Sequence, residues 1–185
     1  MNEALTKPVD EDEIRLAFFS MNPDEAPGPD GMSPLFFQTY WHIIHKDVVD
    51  AIQSCFHSGF LLKSINETLV TLIPKCDIPT NLTHYRPISL RNALYKAISK
   101  ILVNRLKPFL NACISKNQAA FVPDRQIFDN VIISREYLHF QKNKRLGKVG
   151  RMALKLDMSK AYDKVEWTFL VEIMRKFVRN GLIGL

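Results

Sequence analysis

The chain has 185 residues, 46% of them hydrophobic and 24% charged, with 25 basic against 19 acidic side chains. This composition excludes wholesale disorder and suits a single folded domain. No apolar run reaches the roughly 18 residues of a membrane span, and no basic start leads into an apolar stretch. We therefore expect an intracellular protein, nuclear or cytoplasmic, that is neither membrane-bound nor secreted.

The first third of the chain predicts helices separated by a proline-rich loop. Residues 10–21 have the spacing of a short helix with acids in its first turn. Residues 22–31 (NPDEAPGPDG) form a loop, because proline and glycine dominate them. A long helix follows, capped by Ser33 and ended by Gly59.

The middle of the chain predicts a β-hairpin and two further helices. Residues 68–73 (TLVTLI) are short and β-branched, and residues 88–90 belong to a second strand beyond a polar turn segment. Residues 92–114 have the spacing of a long amphipathic helix, which Pro108 bends or ends. Asp124 is the expected cap of a helix that reaches about residue 140.

The sequence pattern at the end of the chain predicts one strand and one helix. Residues 151–158 alternate in polarity, and the strand that they predict ends in Asp157. A carboxylate at a strand end suits a hard cation such as Mg²⁺, and the amides of the turn that follows can receive phosphate oxygens. The alternative is a capping aspartate with a core tyrosine at Tyr162. A last helix is expected from about residue 167 to 179.

Charge is unevenly distributed along the chain. The first 31 residues carry eight acids, whereas no acid occurs between Ile78 and Pro123. Such asymmetry favours a polyanion such as nucleic acid as partner, with a solvated helix face as the alternative.

Several segments resemble one family in the same order. LDMSKAYDKVEW (156–167) resembles motif A of reverse transcriptases, especially those of LINE-type, non-long-terminal-repeat retrotransposons of plants. Four other segments resemble further motifs of that family: APGPDG (26–31), TLIPK (71–75), YRPISLRNALYKAISKILVNRL (85–106) and NQAAFVPDRQIFDN (117–130). The resemblance extends over nearly the whole chain.

This resemblance implies an α+β fold, the fingers and partial palm of a right-hand polymerase, helix-rich with a fingers hairpin and one palm strand. The implied division is an N-terminal helix and loop (1–32), a fingers region (33–150) and a partial palm (151–185). The implied partners are an RNA template, a DNA primer or RNA–DNA hybrid, and deoxynucleoside triphosphates. Mg²⁺ is the implied metal, without a small-molecule cofactor.

The resemblance also implies roles for residues of motif A. Asp157 is the expected catalytic carboxylate and metal ligand, and the backbone carbonyl of Met158 is a further metal ligand. The amides of Lys160 and Ala161 are expected to face the triphosphate. Tyr162 is the expected steric gate, whose clash with a ribose 2′-OH favours deoxynucleotides.

Other basic residues have implied contacts with substrate. Lys75 and Arg86 are expected to clamp the triphosphate. A looser expectation gives nucleic-acid contacts to six residues: Lys96, Lys100, Arg105, Lys107, Gln118 and Arg125. Three positions depart from the family pattern, with Glu25 where lysine is frequent, Arg91 where the residue is often uncharged and Asp124 where glycine is common.

The sequence contains no Asp-Asp pair, which the family uses to complete its catalytic site. Two-metal phosphoryl transfer needs several anionic ligands. We therefore expect a truncated RNA-directed DNA polymerase domain of a retrotransposon that is inactive alone, and whether the chain is itself an enzyme stays open. The alternative is a non-catalytic RNA- or DNA-binding module. The strand before Asp157 would also lack its usual partner and leave an open sheet edge.

Overall fold

The computed structural model describes residues 2–143, 152, 154, 156 and 164–177. The chain divides into two compact units, Asn2–Arg105 and a second that begins at Leu106. Among the described residues, helices predominate and two strands form one antiparallel sheet. The predicted helix-rich α+β architecture with a hairpin is therefore confirmed.

Five helices precede the sheet in the first unit. Their bounds are α1 (Asn2–Thr6), α2 (Glu11–Phe19), α3 (Pro34–Thr39), α4 (Trp41–Ser58) and α5 (Lys63–Asn66). Helix α2 begins where predicted, because the Asp10 side chain accepts a hydrogen bond from the Glu13 N–H at 2.8 Å. That hydrogen bond holds the pKa of the Asp10 carboxyl below its usual value. Gly59, with φ of 67°, ends α4 as predicted.

The single helix predicted after Ser33 is wrong in one respect, because the chain forms two helices there. Tyr40 separates them with φ of −98° and ψ of 15°. Ser33 occupies the cap position, but its side chain makes no cap hydrogen bond. The apolar spacing continues across Tyr40, so it does not reveal this break.

The core of the first unit is aromatic and aliphatic. Phe18 is fully buried, and its ring stacks on Phe37 with centroids 4.9 Å apart. The Trp41 ring lies 5.7 Å from that of Phe18. Cys55 is buried in the same cluster, and burial raises the pKa of its thiol. Helices α2, α3 and α4 thus share one core.

The predicted hairpin is confirmed. Strands β1 (Thr68–Pro74) and β2 (Tyr85–Arg91) pair antiparallel, from Thr68 opposite Arg91 to Pro74 opposite Tyr85. A short 3₁₀ turn, Leu82–His84, leads into β2. Lys75, directly after β1, and Arg86 on β2 are the residues for which the family resemblance implies a triphosphate contact.

Helix α6 (Ala93–Leu106) follows the hairpin and buries Ala97 and Ile101 completely. The helix predicted to reach residue 114 ends earlier, at Leu106. A 3₁₀ turn (Lys107–Phe109) and a short α7 (Leu110–Cys113) complete the predicted span. Pro108 lies in that 3₁₀ turn, because its ring cannot continue the α-helical hydrogen-bond ladder.

The second unit contributes two longer helices, α8 (Ile127–Asn143) and α9 (Trp167–Phe177). Asp124 does not cap α8 as predicted, since the helix begins three residues later and Asp124 itself has φ of 62°. The predicted strand at 151–158 lies outside the described residues except at positions 152, 154 and 156. None of the described helices is both long and apolar enough to cross a lipid bilayer.

Candidate functional site

The register of the hairpin brings Lys75 and Arg86 to one face of the sheet. Arg86 pairs with Ile73, two residues before Lys75. The Lys75 N–H donates to the His84 carbonyl at 2.7 Å, which extends the ladder by one pair beyond β1. Because side chains alternate along a strand, Lys75 and Arg86 are diagonal neighbours across the two strands. Both are exposed, so the arrangement can receive an anion from solvent.

The ammonium of Lys75 is held in place by the loop that joins the strands. Its Nζ donates to the Thr83 carbonyl oxygen at 3.0 Å. A lysine ammonium has three donors, so this contact leaves donors for a phosphate oxygen. Arg86 offers a planar fork that suits two phosphate oxygens at once.

Lys96 lies on α6 but is already engaged. Its Nζ forms an ion pair with Glu25 at 3.0 Å and donates to the Ala26 carbonyl at 3.0 Å. The departure from the family pattern at Glu25 therefore has a structural partner, since the acid in the loop pairs with a base on the helix.

Arg105 is the most buried of the predicted nucleic-acid contacts, with 6% of its side chain exposed. Its Nε and Nη2 each donate to the Glu13 carboxylate at 2.7 Å. Its Nη1 also donates to the carbonyls of Leu5 and Lys7. These hydrogen bonds of the guanidinium join the N-terminal segment to α6. Because its donors are already engaged, the geometry argues against a phosphate contact by Arg105.

Lys100 and Lys107 are placed differently from Arg105. Lys100 is half-buried on α6, and Lys107 is exposed in the 3₁₀ turn that follows. Their expected contacts with nucleic acid stay predictions.

In the second unit, Arg125 organises the loop before α8. Its guanidinium donates to the carbonyls of Ile114, Ser115 and Gln118 and to the Asn111 side chain. The Gln118 amide donates in turn to the Ala120 carbonyl at 3.3 Å. Both predicted contact residues thus hold their own loop together.

Two residues of this loop have a left-handed backbone, Phe121 and Asp124, each with φ of 62°. Glycine adopts that conformation without a steric penalty, and aspartate tolerates it better than most residues. The backbone thus gives a physical reason for a glycine at position 124. Phe121 is 87% exposed, so its ring is presented to solvent.

Asn92 joins three segments and was missed by the sequence analysis. It is 5% exposed, its Oδ1 accepts from the Asp30 N–H at 3.3 Å, and its Nδ2 donates to the Ser64 carbonyl at 2.9 Å. Gly28 packs so closely that a Cβ there would lie 2.3 Å from the Asn92 backbone nitrogen. The APGPDG loop is thereby fastened to the start of α6. A polar residue after a strand was the only signal in the sequence.

Arg91, at the end of β2, is also committed to structure. Its Nη1 donates to the Asn66 side chain at 3.2 Å, and its guanidinium lies 4.2 Å from the centroid of the Tyr95 ring. The charge that departs from the family pattern therefore links the hairpin base to its neighbours.

The motif A residues lie outside the described part of the chain: Asp157, Met158, Lys160, Ala161 and Tyr162. Among the residues that the structure does describe, no group of three or more histidine, cysteine, aspartate or glutamate side chains could hold a metal ion.

Comparison with known proteins gives one family. A family model described as reverse transcriptase (RNA-dependent DNA polymerase) matches residues 73–181, more than half of the chain. The match includes the hairpin end with Lys75 and Arg86, and the motif A segment.

Three curated relatives align with nearly all of the chain. A Xenopus laevis protein, the transposon TX1 uncharacterized 149 kDa protein, is 33% identical over 95% of the chain. Retrovirus-related Pol polyproteins from retrotransposable elements are 26% identical over 95% of the chain (type-2 element R2DM, Drosophila melanogaster) and 24% over 93% (type-1 element R2, Nasonia vitripennis). The chain spans 13% of the first relative and 16% of the other two.

Proposed function

Because the chain belongs to the reverse transcriptase family, we propose that it supplies the fingers and first palm segment of a domain that copies RNA into DNA. The observation that carries this proposal is the family match over residues 73–181. A retrotransposon polyprotein is the proposed setting, since two relatives bear that name.

In the proposed reaction, the primer 3′-hydroxyl gives up its proton to water and its oxygen bonds to the α-phosphorus of a deoxynucleoside triphosphate. The bond between that phosphorus and the oxygen bridging to the β-phosphate breaks. Pyrophosphate leaves, and negative charge builds up on the transferring oxygens. Fixed cations stabilise that charge most where water is excluded. Lys75 and Arg86 are proposed to bind the triphosphate, and their common face on the hairpin supports that role.

The proposed metal ligands are the Asp157 carboxylate and the Met158 carbonyl. Both are oxygen donors, the type that Mg²⁺ takes, and the bound ion would stabilise phosphate charge. Two ions need further anionic ligands, and the sequence has no Asp-Asp pair to supply them. Asp157 and Met158 therefore supply only some of the oxygen ligands that two Mg²⁺ ions need. Lys160, Ala161 and Tyr162 are proposed to hold the triphosphate and exclude a ribose 2′-OH.

We expect the 185-residue chain, assayed by itself, to give no template-dependent DNA synthesis. The measurement is primer extension on an RNA template with Mg²⁺ and all four deoxynucleotides. Extension that disappears in Asp157→Ala but survives in the neighbouring Asp163→Ala would contradict this expectation.

The triphosphate contact has a separate test that needs no turnover. Binding of a deoxynucleoside triphosphate is measured by equilibrium dialysis at low salt for Lys75→Ala, Arg86→Ala and the control Lys63→Ala. Losing a charge-assisted hydrogen bond weakens binding about ten-fold. We expect that loss in the first two variants and an unchanged affinity in the control. Equal affinities in all three would refute the proposed site.

The second candidate function is binding of RNA or DNA without catalysis, and the acid-free tract of residues 78–123 favours it. Engagement of Lys96 and Arg105 within the fold leaves fewer phosphate contacts than the charge count suggests. Each neutralised phosphate contributes about −0.7 to the log–log salt slope for single strands. Lys100→Glu or Lys107→Glu should each make that slope less negative, whereas Lys46→Glu on α4 should leave it unchanged. A salt-independent affinity would exclude this function.

A further inference from the structure

Phe121 combines two features that do not stabilise the fold. It is the most exposed of the large apolar side chains that the structure describes, and its backbone is left-handed, with φ of 62°. A bulky side chain in that backbone region is a steric outlier. Such strain persists only where the surrounding structure holds it, and it is frequent at ligand-binding sites. The position therefore indicates a contact with a ligand that offsets both costs.

The loop around Phe121 buries its smaller apolar side chains and exposes the largest. Ala119 and Val122 are buried, whereas the phenyl ring between them is exposed. Burial of a phenylalanine stabilises a fold more than burial of an alanine or a valine, because it removes a larger area from water. A loop shaped by folding alone would bury the ring. The exposure of Phe121 thus favours a role in binding.

Arg125 holds the loop in this conformation. Its guanidinium donates to the carbonyls of Ser115 and Gln118, which ties the end of the loop to its start. The Gln118 side chain donates to the Ala120 carbonyl, directly before Phe121. The backbone is therefore fixed before and after the ring, so that little conformational entropy is lost when a ligand stacks on it.

The charges near the loop favour a polyanion as the ligand. Phe121 lies within the acid-free tract of residues 78–123. Lys107 and Lys116, in the same unit, are exposed, and neither forms an ion pair with a described residue. Lys116 is five residues from Phe121, and five residues span at most about 18 Å. Asp124 is the single acid on this loop, against the two lysines.

We propose that the Phe121 ring stacks on an unpaired base of a nucleic-acid single strand, whose phosphates are neutralised by Lys107 and Lys116. Proteins that bind single strands combine aromatic faces for the bases with cations that follow the backbone. This role of Phe121 rests on the proposed function for its partner, a nucleic-acid strand, and adds the residue that receives a base. An apolar protein surface is the competing occupant, and it would not depend on the bases of a strand.

The test compares strands with and without bases, using the full chain at low salt. The probes are decamers of uridylate, of deoxyuridylate and of abasic deoxyribose phosphate, and fluorescence anisotropy measures their affinities. Phe121→Ala should weaken binding of both base-bearing decamers at least about five-fold, as for one lost stacked base, and leave binding of the abasic decamer unchanged. Phe128→Ala, which removes an exposed ring on α8, should bind as the parent. An equal loss with the abasic decamer, or a loss with only one of the two sugars, would refute stacking on a base.

A second variant distinguishes a binding role from a structural one. Phe121→Gly removes the ring and relieves the left-handed backbone. It should therefore weaken uridylate binding as Phe121→Ala does, while its urea midpoint equals or exceeds that of the parent. A lower midpoint would assign the ring to folding and overturn the proposal.

The salt dependence separates the base contact from the phosphate contacts. Lys116→Gln should make the log–log salt slope less negative by about 0.7, whereas Phe121→Ala should leave it unchanged. An unchanged slope in Lys116→Gln would exclude its phosphate contact. Uridylate binding that is the same in the parent and both Phe121 variants would refute the stacking alone. Failure of the parent to bind any decamer would refute the nucleic-acid partner as well.

Discussion

Helices α4 and α8 are nearly equal in length, at 18 and 17 residues, yet they differ completely in burial. Helix α4 buries five side chains, Trp41, Val48, Val49, Ile52 and Cys55, whereas α8 buries none. The large apolar side chains that α8 exposes are Ile127, Phe128, Val131, Ile132, Ile133, Tyr137, Leu138 and Phe140.

The two helices differ in where their apolar residues lie. In α4 they form one stripe that packs against the shared core. In α8 they surround the helix, a pattern typical of a helix covered on several sides. The number of apolar residues in a helix indicates that it must pack against other elements. Only their distribution around the helix indicates how many of its sides are covered. Four substitutions with matched controls examine this difference between the two units.

The largest expected effect is on the aromatic core. Phe18→Ala should lower the free energy of unfolding by about 3–5 kcal/mol, because the ring is fully buried against Phe37 and Trp41. Phe128→Ala removes a ring that is 73% exposed and should change it by less than about 0.5 kcal/mol. Urea denaturation measures both, and similar losses would mean that α8 is as well packed as the core.

The next comparison concerns the two structural arginines. Arg105→Ala should cost about 3–5 kcal/mol, because it leaves the Glu13 carboxylate without its guanidinium partner in a partly buried site. Arg125→Ala, which removes a half-buried side chain and leaves no buried charge unpaired, should cost about 1 kcal/mol. Replacing both partners, in Arg105→Met with Glu13→Leu, should recover part of the first loss. A double variant no more stable than Arg105→Ala would argue against the unpaired carboxylate as the cause.

A smaller effect of opposite sign is expected in the second unit. Asp124→Gly should raise stability by up to about 1 kcal/mol, because glycine relieves the left-handed backbone at that position. Asp129→Gly, inside α8, should instead lower stability by about 1 kcal/mol. Hydrogen exchange of α8 measures both, and a loss in both variants would contradict the backbone explanation.

The smallest effect concerns the cap of α2. The pKa of Asp10 is lowered by the Glu13 N–H, so the stabilisation from its charge is complete above the ordinary value of 3.8. It is lost as the pH falls through the lowered value of the folded protein. Asparagine caps as well but does not titrate. The parent should therefore exceed Asp10→Asn in stability by a few tenths of a kcal/mol at pH 7, and the difference should vanish in acid. A difference that persists once acid has protonated Asp10 would exclude the charge as its origin.

Local sequence signals predicted much of the fold. Helix α2, the hairpin and α9 follow from capping residues, β-branched runs and apolar spacing within short windows. The break at Tyr40 was missed, because the apolar spacing continues across it. The end of α6 at Leu106 follows from Pro108, the residue predicted to bend or end that helix. Helices α1 and α5 are too short to give a periodic pattern.

The site was less predictable, since it depends on contacts between distant residues. The family resemblance proposed Lys75 and Arg86 as triphosphate contacts. The register puts both on one face of the hairpin, and their role stays a prediction. It treated Arg105 as a free cation, because its partner Glu13 lies 92 positions earlier. Asn92 was missed for the same reason, since its side chain bonds to Asp30 and Ser64, 62 and 28 positions earlier.

The close approach of Gly28 to the start of α6 has a consequence for mutational tolerance. The atoms that would meet a Cβ at position 28 include the Asn92 nitrogen and the Arg91 carbonyl carbon, at 2.3 Å and 2.5 Å. These are main-chain atoms, so no second-site change of side chain can make room. In a saturation library the position should accept glycine alone, in the parent and in an Asn92→Ala background alike. Gly28 would thus show no epistasis with its nearest neighbour, although the two residues touch.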